Sequence, residues 1–175
     1  MDTIKQANRD IKSLQPIAQK ACELFLNECK KKNIPIFITE THRSQARQDY
    51  LYEQGRTRQG QIVTWTRSSN HTGGYAWDIA VNPPHELYDA KIIAKAGEVA
   101  KELGIEWGGT WKSSPDTPHF QVDKNWKAPA TENWKTQAIK QVCKQHNLEV
   151  NTWLGKCEEY LTVGEFFGII NKIIQ

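Results

Sequence analysis

The segment Tyr75–Val81, YAWDIAV, constrains this chain more than any other stretch. Its alternation predicts a β-strand with Tyr75, Trp77, Ile79 and Val81 on one face and Ala76, Asp78 and Ala80 on the other. The large side chains need a core, so helices must cover that face. The opposite face then presents a carboxylate flanked by two alanines, with room beside it for a metal ion or a substrate. An ionised acid in the middle of a central strand is costly unless it is paired or ligates a cation. Just ahead, Gly73-Gly74 supplies a tight turn that swings His71 back toward Asp78.

The flanking sequence supplies the remaining elements. Residues 1–32 read as helix, with Pro16 suited to a first turn and Ile17, Ala21, Leu24 and Phe25 on one apolar face; Asn33 closes it. Ile34–Thr39 reads as a strand, residues 44–54 as a polar helix ended by Gly55, and Ile62–Thr66 as a second strand. Asn82-Pro83-Pro84 breaks the YAWDIAV strand. Residues 89–103 carry Ile92, Ile93, Ala96, Val99, Ala100 and Leu103 at helical spacing, capped by Gly104. Strands at 105–107 and 119–122 complete the set. The fold expected is α+β: a small antiparallel sheet bearing the site on one face, helices on the other, and a short helical C-terminal extension. The domain reading is 1–123 for the main domain, a polar linker at 124–134, and a small helical region at 135–175. Its last helix opens on the capping box Thr162-Val-Gly-Glu165.

Composition excludes several classes. Of 175 residues, 38% are hydrophobic and 25% charged, as in a folded protein. No apolar run approaches the ~18 residues of a membrane span. The first residues lack a basic region followed by an apolar one, so neither a secretory signal nor stable membrane association is expected. Lys plus Arg is 23 against 20 Asp plus Glu, and the basic residues form no stripe, so nucleic acid is not an expected partner. The cysteines at 22, 29, 143 and 157 include no CxxC pair, and reduced thiols are expected. A monomer is expected.

A second histidine sits in Asp116-Thr-Pro-His119, at the start of a predicted strand. Two histidines and one carboxylate (His71, His119 and Asp78) leave the fourth position of a tetrahedral zinc ion open, as hydrolytic sites require. Asp116 is then a spare acid beside the opening, able to take a proton from water and pass it to a leaving amine. The competing readings are structural. Asp78 would pair with Arg43 or Arg56; His42, His85 and His146 would be surface residues; Trp65, Trp77 and Trp107 would belong to the core.

The pattern S-x-H-x-x-G-x-A-x-D, present as Ser69 to Asp78, resembles the first zinc motif of the D-alanyl-D-alanine metallopeptidases, relatives of lysostaphin and the Hedgehog domain. Thr41-His-Arg43-Ser44, Leu51-Tyr52-Glu-Gln-Gly55-Arg56-Thr57, Ile62-Val63-Thr64, Gly104-Ile-Glu-Trp107-Gly108-Gly109, Trp111-Lys112 and Pro118-His119-Phe120-Gln121 resemble the L-alanyl-D-glutamate peptidases of phage endolysins and bacterial walls. The resemblance runs in order from about residue 34 to 122.

It implies one zinc ion on His71, Asp78 and His119, Asp116 as general base, and Arg43 as the cation facing the developing oxyanion. It also implies Gln48, Arg56 and Ser69 in substrate binding, peptidoglycan as the partner, and hydrolysis of its L-Ala–D-Glu bond. A phage-type lysin held in the cytoplasm until release fits that picture. The alternatives are a D-Ala-D-Ala or L,D-carboxypeptidase and a non-catalytic, zinc-stabilised wall-binding protein. His42, where the family pattern has an aromatic or aliphatic residue, departs from it. In the tail, Trp126, Trp134 and Trp153 suit either stacking on sugar faces or packing against the main domain.

Overall fold

The structure, a computed structural model, describes residues 4–129, 134–146, 168 and 171. Helix α1 (Pro16–Lys31) is shorter than the helix expected over 1–32. Upstream, the side chains of Asn8 and Asp10 accept from the backbone N–H groups of Asp10 and Lys12, both at 2.9 Å, and residues 11–13 form a 3₁₀ turn. Such local bonds compete with a helix, and Pro16, which has no N–H to give, can only begin one. Asn33, in the left-handed region at φ 54°, ends it.

Strand β1 (Ile36–Glu40) is followed by α2 (Gln45–Glu53), whose first turn is capped by the Ser44 hydroxyl. Strand β2 (Ala76–Val81) leads to α3 (Ala90–Glu102), capped by the Asp89 carboxylate. Short strands β3 (Glu106–Trp107) and β4 (His119–Gln121) complete an antiparallel sheet of order β1-β2-β4-β3. The fold is α+β, as expected, and β2 lies in its interior.

Trp77 and Ile79 on β2 and Phe120 on β4 form the core face of the sheet. Phe25 of α1 meets Phe120 at a ring separation of 4.8 Å and Trp77 at 6.1 Å. Ala18, Ala21, Cys22 and Cys29 of α1 join Ala96, Val99 and Ala100 of α3 in the same core. Burial pushes the Cys29 thiol up to about 12, and Cys22 higher still, so both are inert protonated thiols.

Two expectations are corrected here. Residues 62–66 form no strand. Ile62, Val63 and Trp65 are 40%, 54% and 74% exposed, so the segment has no buried face to pair a sheet over, and Trp65 is not core. Its carbonyls are used instead by side chains: Thr66 O accepts from Gln48 at 2.6 Å and Thr64 O from Arg56 at 3.2 Å. Residues 124–129 also differ from a linker. Trp126 is buried in the main core and its indole N–H donates to the Leu103 carbonyl at 2.9 Å, so it does not offer its ring to a sugar.

The residues up to Pro129 form one compact unit and those from Ala130 a second. In the second, α4 (Trp134–Gln145) carries a buried Cys143. Of the last helix expected from Thr162, Gly168 and Asn171 are described and both are helical, whereas Trp153 and Cys157 lie outside the described residues. Among the described residues no helix is long and apolar enough to cross a membrane.

Trp107 is held between two glycines. A Cβ at Gly97 or at Gly109 would come within 2.3 Å of its ring, and its Nε1–H is tied to the Thr117 carbonyl at 2.8 Å. The ring cannot step aside, so Gly97→Ala should destabilise the protein by about 1–3 kcal/mol despite the better helix propensity of alanine. Urea unfolding of the variant measures this, and an unchanged midpoint would contradict the packing described.

Candidate metal centre and active site

Register builds the site. In the β2–β4 pairing Asp78 stands opposite His119, Trp77 opposite Phe120 and Ala76 opposite Gln121. Directly opposed residues share a face, so the pairing that places Trp77 and Phe120 in the core sets Asp78 beside His119 on the other side. His71 arrives from the turn before β2, where Gly74, at φ 75°, donates to the His71 carbonyl at 3.1 Å. His71 Nε2, His119 Nδ1 and Asp78 Oδ1 then form a triangle with all three edges at 3.2 Å. Ligand bonds of about 2.0–2.1 Å in a tetrahedron require edges of about 3.3 Å.

The protons of the two imidazoles are assigned by their outer partners. His71 Nδ1 lies 2.6 Å from the Thr41 carbonyl, which can only accept, so that nitrogen carries hydrogen. Gln121 donates its amide N–H to Glu106 at 2.8 Å, which turns its Oε1 toward His119 Nε2 at 2.9 Å and fixes the proton there. In the neutral rings, His71 Nε2 and His119 Nδ1 are therefore bare lone pairs. Two lone pairs and a carboxylate oxygen meet with no hydrogen between them, an arrangement that needs a cation. The donor set and the fixed tautomers fit a divalent metal.

Titration of the metal-free chain reflects the same convergence. Burial alone would raise the Asp78 carboxyl, but the charges and hydrogen bonds of His71 and His119 outweigh it and hold the group well below the usual carboxylate range. Burial would lower His119, yet its bond to Asp78 and the charge there raise it. Partial desolvation and the charge of Asp78 raise Asp116, opposed by His119, His71 and Arg43.

Arg43, one of the two arginines the sequence offers Asp78, places its Nη2 3.5 Å from Asp78 Oδ2. A β-bulge makes this arrangement. Ile38 pairs with Ile79 but Glu40 with Asp78, so Thr39 is the extra residue and the Glu40 carboxylate is brought across from Asp78. Two facing carboxylates repel, and Arg43 lies between them, 2.6 Å from Glu40 Oε2. The other Glu40 oxygen binds Arg47 Nε at 2.5 Å. Gln48 accepts from Arg43 Nη1 at 2.8 Å and donates to Thr66 O, which fixes the guanidinium from behind.

A cleft of about 950 Å³ lies over the site, lined by Arg43, Ser69, His71, Asp78, Asp116 and His119 among others. Gln48 and Arg56 do not line it. Gln48 is fully buried with its amide spent on Arg43 and the 64–66 segment, so it positions Arg43 instead of touching a substrate. The Arg56 guanidinium lies 4.0 Å from the centre of the Tyr52 ring and binds the Tyr52 and Thr64 carbonyls, away from the cleft and from Asp78. Ser69 lines the cleft and its hydroxyl accepts from the His71 N–H at 3.3 Å. Glu40 escapes a sequence reading, and Thr41 and Gln121 stand in the quoted motifs without a role that the sequence reveals. A bulge and an outer hydrogen-bond partner leave no periodicity to find.

Two outcomes check this geometry. In metal-free protein the depressed Asp78 carboxyl contributes stability above its unfolded value of about 3.9, lost as pH falls. The raised His119 contributes below about 6.5, and that part is lost as pH rises through its folded value. Urea unfolding in chelator should show both declines, and Asp78→Asn should flatten both; a profile identical to wild type would refute the coupling. Separately, Glu40→Ala leaves the buried Arg43 and the half-buried Arg47 without their carboxylate and should cost about 3–5 kcal/mol, against about 1 kcal/mol if Glu40 behaves as an exposed pair.

Comparison with known proteins agrees with the geometry. A family profile described as D-alanyl-D-alanine carboxypeptidase matches residues 63–122. Peptidoglycan L-alanyl-D-glutamate endopeptidase CwlK of Bacillus subtilis (strain 168) is 38% identical over 125 residues, 64% of this chain and 75% of the relative. An L-alanyl-D-glutamate peptidase of Listeria phage A118 is 25% identical over 151 residues, 82% of this chain but 49% of the relative. Among solved structures, the L-Ala D-Glu endopeptidase ChiX of Serratia marcescens superposes with a TM-score of 0.52 at 26% identity, covering 69% of this chain and 89% of its own. The LdcB LD-carboxypeptidase, at 14% identity and a TM-score of 0.50, shares the fold. The ordered pair of histidines around the strand aspartate and the extent of the match to CwlK together place the chain in the L-alanyl-D-glutamate peptidases of the D-alanyl-D-alanine metallopeptidase superfamily.

Proposed function

We propose that this chain is a zinc endopeptidase that hydrolyses the L-Ala–D-Glu bond of peptidoglycan stem peptides, acting at the bacterial wall as a phage-type lysin. The observation that carries the reading is the meeting of two bare imidazole nitrogens and one carboxylate oxygen in the wall of a cleft that also holds Asp116 and Arg43. His71, Asp78 and His119 would hold zinc, whose tetrahedral preference and affinity for imidazole match this set. Zinc bound there would supply Lewis acidity to water and to the substrate carbonyl.

The protein's own groups do the remaining work. Asp116 takes the proton of the attacking water on a carboxylate oxygen and returns it to the departing D-Glu nitrogen. Arg43 offers a fixed positive charge to the developing oxyanion; Glu40 and Gln48 hold it in place beforehand, so little reorganisation is needed. The alternatives within the enzyme class differ in the bond cut, and the wall-binding alternative has no use for Asp116.

Digestion of purified sacculi with the zinc-loaded protein, followed by mass spectrometry, should reveal new D-Glu amino termini. Asp116→Ala should lower the rate about 10²–10⁴-fold while keeping one zinc per chain, and His71→Ala should lose the zinc. Free D-alanine with the L-Ala–D-Glu bond intact would select the carboxypeptidase reading. Binding to sacculi without any new amino terminus would select the wall-binding protein.

A further inference from the structure

The proposed substrate carries a charge beside the bond to be cut. In a stem peptide D-Glu continues the chain through its γ-carboxyl, so its α-carboxylate is free, on the residue whose nitrogen departs. The cleft already holds the carboxylates of Asp78 and Asp116 and would repel such an anion unless a cation met it.

Among the described residues that line the cleft, the arginines are Arg9 and Arg43, and there is no lysine. Arg43 is engaged by Glu40, Gln48 and Asp78. The arginines of the neighbouring α2 region are engaged as well: Arg47 by Glu40, Arg58 by Glu53 and Arg67 by Asp49. Arg56, for which the resemblance implies substrate binding, does not line the cleft and binds the Tyr52 and Thr64 carbonyls. Among the described residues Arg9 is exposed to solvent and its guanidinium has no hydrogen-bond or ion-pair partner.

Its backbone is nevertheless anchored. The Thr41 N–H donates to the Asn8 carbonyl at 2.7 Å, and the Thr41 hydroxyl donates to the Asp10 carbonyl at 3.0 Å. Arg9 thus sits between two carbonyls clamped by Thr41. The carbonyl of that same Thr41 accepts from His71 Nδ1 and orients the metal-facing ring. One residue therefore holds both the metal-facing ring of His71 and the backbone from which Arg9 extends.

We propose that Arg9 forms the carboxylate subsite of the cleft, pairing with the free α-carboxylate of D-Glu and selecting acidic over amidated stem peptides. The proposal rests on the endopeptidase reading and adds a specificity determinant to it. Charge-assisted pairing between guanidinium and carboxylate has the strength to discriminate by about tenfold or more.

The test uses the full chain loaded with zinc and two soluble muramyl tripeptides that differ only at D-Glu, one with the α-carboxylate and one with the α-carboxamide. Wild type should cleave the acidic peptide with kcat/KM about tenfold above the amidated one. Arg9→Gln should raise KM for the acidic peptide by a similar factor, with kcat little changed, so that the two efficiencies converge; Arg9→Lys should restore part of the preference. A preference retained in Arg9→Gln, or absent in wild type, would overturn the subsite while leaving the endopeptidase reading intact. Cleavage of neither peptide by wild type would remove both. Arg9 is exposed, so its substitution removes no core packing, and an unchanged unfolding midpoint of the variant verifies that the effect belongs to the substrate's charge.

Discussion

Two imidazole lone pairs and a carboxylate oxygen at mutual distances of 3.2 Å are mutually repulsive without a cation, and most of the structure around them serves to hold them there. Below them, the Trp77–Phe120 pair locks the β2–β4 register, so Asp78 and His119 cannot slip apart without turning the core face outward. Beside them, the Thr41 carbonyl and the Glu106–Gln121 pair fix which ring nitrogens carry hydrogen. Core packing and the candidate metal site meet on one strand whose two faces have opposite tasks.

The electrostatic frame extends this logic. A regular β1 would set Thr39 across from Asp78; the bulge sets Glu40 there instead. Glu40 would be intolerable opposite Asp78 without Arg43 between them, and Arg43 would be intolerable at 9% exposure without Glu40. On the other wall, Gly108 lets the 108–118 segment close, because a Cβ there would meet the Asp116 carbonyl oxygen at 2.5 Å. The Asp116 N–H donates to the Gly108 carbonyl at 3.0 Å, so the proposed base is held from the strand end that Trp107 anchors.

What was legible in the sequence follows from periodicity and chemistry. The YAWDIAV alternation carried both the core face and the position of Asp78, and the Gly73-Gly74 turn carried His71. The strand expected at 62–66 failed because β-branched and aromatic residues also suit an exposed cleft rim, where no partner strand is present to pair with them. The N-terminal helix was overextended because apolar spacing from Pro16 onward says nothing about residues before the proline. The resemblance implies substrate contact for Gln48 and Arg56, but a motif match does not show which way a side chain is turned. Only burial and partners distinguish a residue that touches a ligand from one that braces its neighbour.

The same reasoning bears on catalysis against binding. A protein that used its metal only to stabilise a wall-binding surface would gain by replacing the buried Glu40–Arg43 pair with apolar groups, since such pairs are seldom net stabilising. Instead the pair is retained, together with Arg47 and Gln48, at the edge of the cleft over the metal ligands. Asp116 lines the same cleft. A fixed cation and a spare carboxylate beside it are what an acyl-transfer transition state requires and what a static interface does not. The charge arrangement therefore favours hydrolysis on physical grounds that are independent of the similarity to other peptidases.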